Sequence, residues 1–79
     1  MSTNYELSIR SHEITNKINK YIPEIPLRSI LSSFVYESMV IQWRNAIIAA
    51  KDEKFKLLLN KNITGIEFSA YLDEIENML

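Results

Sequence analysis

The feature that most constrains this fold is a run of 24 residues, positions 27–50, that contains neither glycine nor proline. As a helix it would be ~36 Å long, which is long for a chain of 79 residues. Placed at ~100° per residue, it is apolar on two nearly opposite sides. One face carries Leu27, Ile30, Leu31, Phe34, Val35, Ile41 and Ile48, and the other carries Tyr36, Met39, Val40, Trp43 and Ile47. We therefore expect a central helix, at about 27–50, that is covered on two sides.

Capping signals predict a further helix at each end of the chain. Thr3 precedes Glu6 by three residues and Thr64 precedes Glu67 by three, which is the spacing of a capping box. One-sided apolar residues follow each cap: Leu7, Ile14 and Ile18 after the first, and Phe68, Leu72 and Ile75 after the second. The sequence thus predicts an all-α fold, a small bundle of three to four helices in a single helical domain, residues 1–79.

Two boundaries of the predicted helices stay open. Residues 51–59 contain no helix breaker, so the central helix either ends near residues 49–52 or continues to the turn signal Asn60-Lys61-Asn62, where an Asn is expected in the left-handed conformation. Before the central run, Pro23 and Pro26 favour an extended connection that begins the next helix at Pro26.

Residues 4–10 have a second interpretation, because Tyr5, Leu7 and Ile9 alternate with polar residues as in a strand. The order strand, helix, helix resembles the ribbon-helix-helix repressors. That resemblance implies a dimeric DNA-binding regulator with Glu6, Ser8 and Arg10 facing the major groove. A single helix over residues 3–22 is the favoured interpretation, since an isolated strand needs a pairing partner.

Composition argues against several classes of function. The chain has no cysteine, one histidine (His12) and one glycine (Gly65), so we expect no catalysis, no metal and no cofactor. A net charge of −1 makes nucleic acid an unlikely partner. Glu37 and Arg44 make the central run a poor membrane span, and the N-terminus lacks the basic start and apolar run of a secretory signal. We expect a cytoplasmic protein, and the abundant Ile, Asn and Lys hint at a phage or plasmid origin.

The surplus apolar surface predicts a small non-enzymatic protein–protein interaction module: an inhibitor, an adaptor or a small subunit of an assembly. The face centred on Ile30, Phe34, Ile41 and Ile48 is expected to pack on the terminal helices. The opposite face is expected to meet a protein partner or a second copy in a homodimer, unless residues 51–59 fold back over it. A solvated acidic surface on the last helix is the second candidate contact. The predicted partner-binding residues are Tyr36, Met39, Val40, Trp43, Ile47, Asp73, Glu74 and Glu76.

Overall fold

A computed structural model describes residues 3–79, and all regular structure in that range is helical. Helix α1 spans Asn4–Lys20, α2 spans Ser33–Leu59 and α3 spans Gly65–Met78, with a single 3-10 turn at Arg28–Ile30. The three α-helices pack against one another. The predicted all-α fold is confirmed.

Helix α1 begins where its capping signal predicts. The hydroxyl of Thr3 accepts a hydrogen bond from the backbone N–H of Glu6 at 3.1 Å. Residues 4–10 lie inside this helix, so the strand interpretation is wrong, and the resemblance to the ribbon-helix-helix repressors loses the strand on which it depended. The period of three and four that runs through Leu7, Ile14 and Ile18 outweighs the short alternation, because it extends over the whole segment and supplies a buried face.

Helix α2 is shifted along the chain relative to the predicted range. It begins at Ser33, because the Ser32 hydroxyl accepts from the N–H of Val35 at 3.2 Å, and it runs on without a break to Leu59. The helix ends because the backbone of Lys61 adopts the left-handed conformation, with φ 62°. Asn62 N–H then bonds the Leu57 carbonyl at 2.8 Å, which is the Schellman arrangement. Lys61, and not an Asn, therefore takes the terminating conformation.

The core lies between α1, α3 and the C-terminal part of α2. Its buried members are Leu7, Ile14, Ile18, Leu58, Phe68, Leu72 and Ile75. At 27 residues α2 is ~40 Å long, whereas α1 and α3, with 17 and 14 residues, are ~25 and ~21 Å long. The two shorter helices cannot cover all of α2, and the molecule is accordingly elongated, measuring 47 × 19 × 16 Å.

The predicted packing face of α2 was wrong for three of its four central residues. Ile30, Phe34 and Ile41, which were predicted to pack on the terminal helices, are exposed, whereas Ile48 packs against the core as predicted. Trp43 and Ile47, predicted to meet a partner, are half-buried against the core. The reason is the C-terminal extension of α2, since the terminal helices pack around its second half and the buried side of that half continues the Trp43–Ile47 face.

Within residues 3–79, none of the helices is both long enough and apolar enough to cross a membrane.

Candidate functional site

Large apolar side chains that the chain leaves uncovered are concentrated within residues 22–41. Phe34 is 79% exposed, Ile30 is 74% exposed and Leu27 is 70% exposed. The exposed set, which we name the apolar end, comprises Ile22, Leu27, Ile30, Phe34, Val35, Met39 and Ile41. Single exposed apolar residues are common, but such a concentration in so small a protein is typical of a surface that binds another molecule.

The segment between α1 and α2 is fixed at its start by Arg44. The Nε and Nη2 atoms of Arg44 both donate to the Tyr21 carbonyl, at 3.0 and 2.6 Å. The rings of Tyr21 and Trp43 lie 5.4 Å apart in a tilted pair, and Pro23 is buried. These contacts hold the segment against α2, so the apolar residues that follow are presented from a fixed base.

The end of the same segment is fixed by a cation–π contact. The guanidinium of Arg28 lies 3.8 Å from the centroid of the Tyr36 ring. Just before it, Leu27 adopts the left-handed conformation with φ 59°, which costs a residue with a Cβ about 1–2 kcal/mol. This turn directs the chain into the 3-10 turn and leaves the Leu27 side chain in solvent.

A groove of about 290 Å³ opens between this segment and α2. Its lining residues are Ile22, Tyr36, Glu37, Val40, Ile41 and Arg44. Glu37 forms no ion pair within residues 3–79, and Arg44 binds a carbonyl oxygen but no carboxylate there. The groove therefore combines apolar walls with one acidic and one basic side chain, which suits it to bind a protein segment carrying both charges.

The predicted partner-binding residues of α2 are divided between this groove and the core. Tyr36 and Val40 line the groove, although Val40 is only 7% exposed. Met39 belongs to the apolar end. Trp43 and Ile47 pack on the core, with part of each side chain still at the surface. Partner binding by these residues stays a prediction, and it now concerns chiefly Tyr36 and Met39.

Two of the three predicted acidic contacts are engaged by the chain's own Arg10. Its Nε and Nη2 atoms lie 3.1 and 3.0 Å from Oε1 of Glu76, and Nη2 also bonds Asp73. The hydrogen bond with Asp73 raises the pKa of Arg10 above its ordinary value, against the opposing effect of burial. Lys17 lies 3.6 Å from the other carboxylate oxygen of Glu76. These two acids hold α1 to α3.

Glu74 is the remaining acid, and it borders a groove of about 270 Å³ between α2 and α3. The other lining residues are Ala46, Ile47, Ala50, Tyr71, Ile75 and Met78. Burial, and secondarily the charge of Glu74, raises the pKa of the Tyr71 phenol. Glu74 makes no ion pair within residues 3–79, so it is the one acid of the three that stays available to a partner.

The sequence analysis missed a buried cation, Lys51. Its side chain is 2% exposed, and its Nζ donates to Ser11 Oγ at 2.7 Å and to Asp52 Oδ1 at 3.0 Å. The spacing along α2 indicates that Lys51 is buried. It lies four residues after Ile47 and seven before Leu58, on the side of the helix that faces the core. Ser11, likewise, lies between Leu7 and Ile14 on the buried line of α1.

No protein-family model matches the chain, and searches of the curated proteins and of the solved structures returned no match.

Proposed function

We propose that this chain is a cytoplasmic, non-enzymatic protein-interaction module that binds its partner through the apolar end and the adjoining groove. The observation that carries the proposal is the exposure of Phe34 and its apolar neighbours at the end of α2 that α1 and α3 do not cover. Water contact with this much apolar surface is unfavourable, and association with another protein removes it.

The charges of the groove support a protein partner over other ligands. Glu37 and Arg44 stand on the same side of α2 and neither has a counter-ion within residues 3–79. A partner that supplies the opposite charges gains affinity and orientation from them. The near-neutral net charge of −1 gives no general attraction for a nucleic acid backbone.

Site-specific photo-crosslinking in the cells that express the protein tests this proposal. A benzophenone amino acid replaces Phe34 in one variant and Glu53 in a control variant. Glu53 is exposed on the same helix but lies outside the apolar end. We expect discrete crosslinked species from position 34 only, and we expect Ile41→Ser to reduce them. Equal yields from the two positions, or yields that Ile41→Ser leaves unchanged, would contradict the proposal.

A further inference from the structure

Beyond the apolar residues themselves, one line of side chains on α2 has the spacing of a helix–helix seam. Phe34, Glu37, Ile41, Arg44 and Ile48 follow one another at intervals of three and four residues. At ~100° per residue they fall within an arc of ~80°, which is the width that a second helix covers. Phe34 is 79% exposed and Ile41 is 54% exposed, so the outer part of this seam is free in the single chain.

The seam carries its charges in a self-complementary order. Glu37 and Arg44 are two helical turns apart, ~10.5 Å along the axis, and lie on either side of a midpoint next to Ile41. When a second α2 lies antiparallel on the same seam, Glu37 of each chain comes opposite Arg44 of the other. A parallel arrangement would instead bring like charges together, which is unfavourable.

We propose that Phe34 and Ile41 of the apolar end bind a second copy of this chain, through an antiparallel, two-fold symmetric contact of the α2 seams. This inference rests on the proposed function and names its partner. Each symmetric contact occurs twice, so the dimer gains two Glu37–Arg44 ion pairs between chains and places Ile41 beside its own symmetry mate.

The seam offers a large part of the apolar surface that such a dimer needs. Phe34 and Ile41 on the seam and Ile22 beside them in the groove are 54–79% exposed, which amounts to on the order of 400 Å² of apolar side chain per molecule. Glu37 and Arg44 add polar surface at the edge of this area. A standard stable interface buries about 800 Å² on each partner, with an apolar centre and a polar rim.

Sedimentation equilibrium from about 1 to 300 µM tests the dimer. We expect the natural sequence to form a dimer, and Glu37→Arg to weaken it about tenfold or more, because both inter-chain pairs become repulsive. Glu53→Arg is the matched control, with the same charge change on an exposed part of the same helix, and it should leave the association unchanged. A monomer throughout this range, or equal effects of the two variants, overturns the proposal.

A mixture of two charge variants tests the antiparallel register. Glu37→Arg alone and Arg44→Glu alone should both be weak dimers, whereas an equal mixture should associate about as well as the natural chain, because the heterodimer restores both pairs. Circular dichroism checks the fold of Arg44→Glu, which also loses the bonds to Tyr21.

A disulfide experiment tests the antiparallel register without changing Arg44. The chain has no cysteine, so Ile41→Cys introduces a single thiol beside the proposed two-fold axis. Mild oxidation should link Ile41→Cys into a covalent dimer much faster than Glu53→Cys, and equal rates would refute the register.

The dimer and the proposed function can fail separately. If the chain is monomeric but position 34 crosslinks to a different protein, the dimer is refuted and the proposed function stands.

Discussion

Removal of the Ser11 hydroxyl should destabilise this protein only while Lys51 is present. The Lys51 side chain is 2% exposed, and the hydroxyl accepts its 2.7 Å hydrogen bond. In Ser11→Ala the buried cation keeps Asp52 as its partner and loses the other, and hydrogen bonds to charged groups contribute about 1.5–3 kcal/mol. Alanine favours the helix by ~0.5 kcal/mol over serine, so we expect a net loss of about 1–2.5 kcal/mol of unfolding free energy.

The same substitution should be nearly neutral in a chain that lacks the cation. Methionine fills the space of the lysine stem without a charge that needs a partner, and the Ser11 hydroxyl that it leaves can rotate to bond a backbone carbonyl of its own helix. We therefore expect Lys51→Met alone to change stability by less than ~1 kcal/mol. Adding Ser11→Ala to it should cost ~0 kcal/mol, which gives a coupling free energy of about 1–2.5 kcal/mol.

Urea unfolding followed by circular dichroism measures this coupling. With a slope of ~1 kcal/mol per molar urea for a small protein, Ser11→Ala should lower the midpoint by about 1–2.5 M. Ser8→Ala, on an exposed position one turn earlier, controls for helix propensity and should change stability by no more than ~0.5 kcal/mol. An equal cost of Ser11→Ala with and without Lys51 would refute the reasoning, because it would show that the two groups do not interact.

Three further predictions concern the contacts that join the helices. Arg10→Met should cost ~1 kcal/mol in low salt and less in high salt, because it removes the donors that hold Asp73 and Glu76; a salt-independent loss in urea titrations would contradict this. Trp43→Ala should cost ~3 kcal/mol at every protein concentration, because the ring packs on the core; a loss that shrinks at high concentration would instead indicate a role in association. The raised pKa of Tyr71 means that the folded state holds the phenol proton more tightly than the unfolded state. Its contribution is complete below the ordinary pKa of 10.0 and is lost as pH rises through the folded value, so Tyr71→Phe should reduce the alkaline loss of stability seen by thermal melting.

Local sequence determined where the helices at the two ends of the chain begin and which of their sides are buried. The caps at Thr3 and Thr64 act within one helical turn, so their spacing from Glu6 and Glu67 predicts them without knowledge of the rest of the chain. The buried sides of α1 and α3 also follow from residues at helical spacing within each segment, although for α1 the alternation of Tyr5, Leu7 and Ile9 left a strand open as the alternative.

Only the tertiary structure decided which face of α2 is buried and how its polar residues are used. Two apolar faces compete on this helix, and neither composition nor period ranks them; the choice depends on where α1 and α3 reach along its length. Contacts between residues far apart in the chain, such as Arg10 with Asp73 and Lys51 with Ser11, cannot be predicted from a pattern in the local sequence. They exist because packing of the helices brings charged and polar groups together, and that packing also leaves Phe34 and its neighbours uncovered.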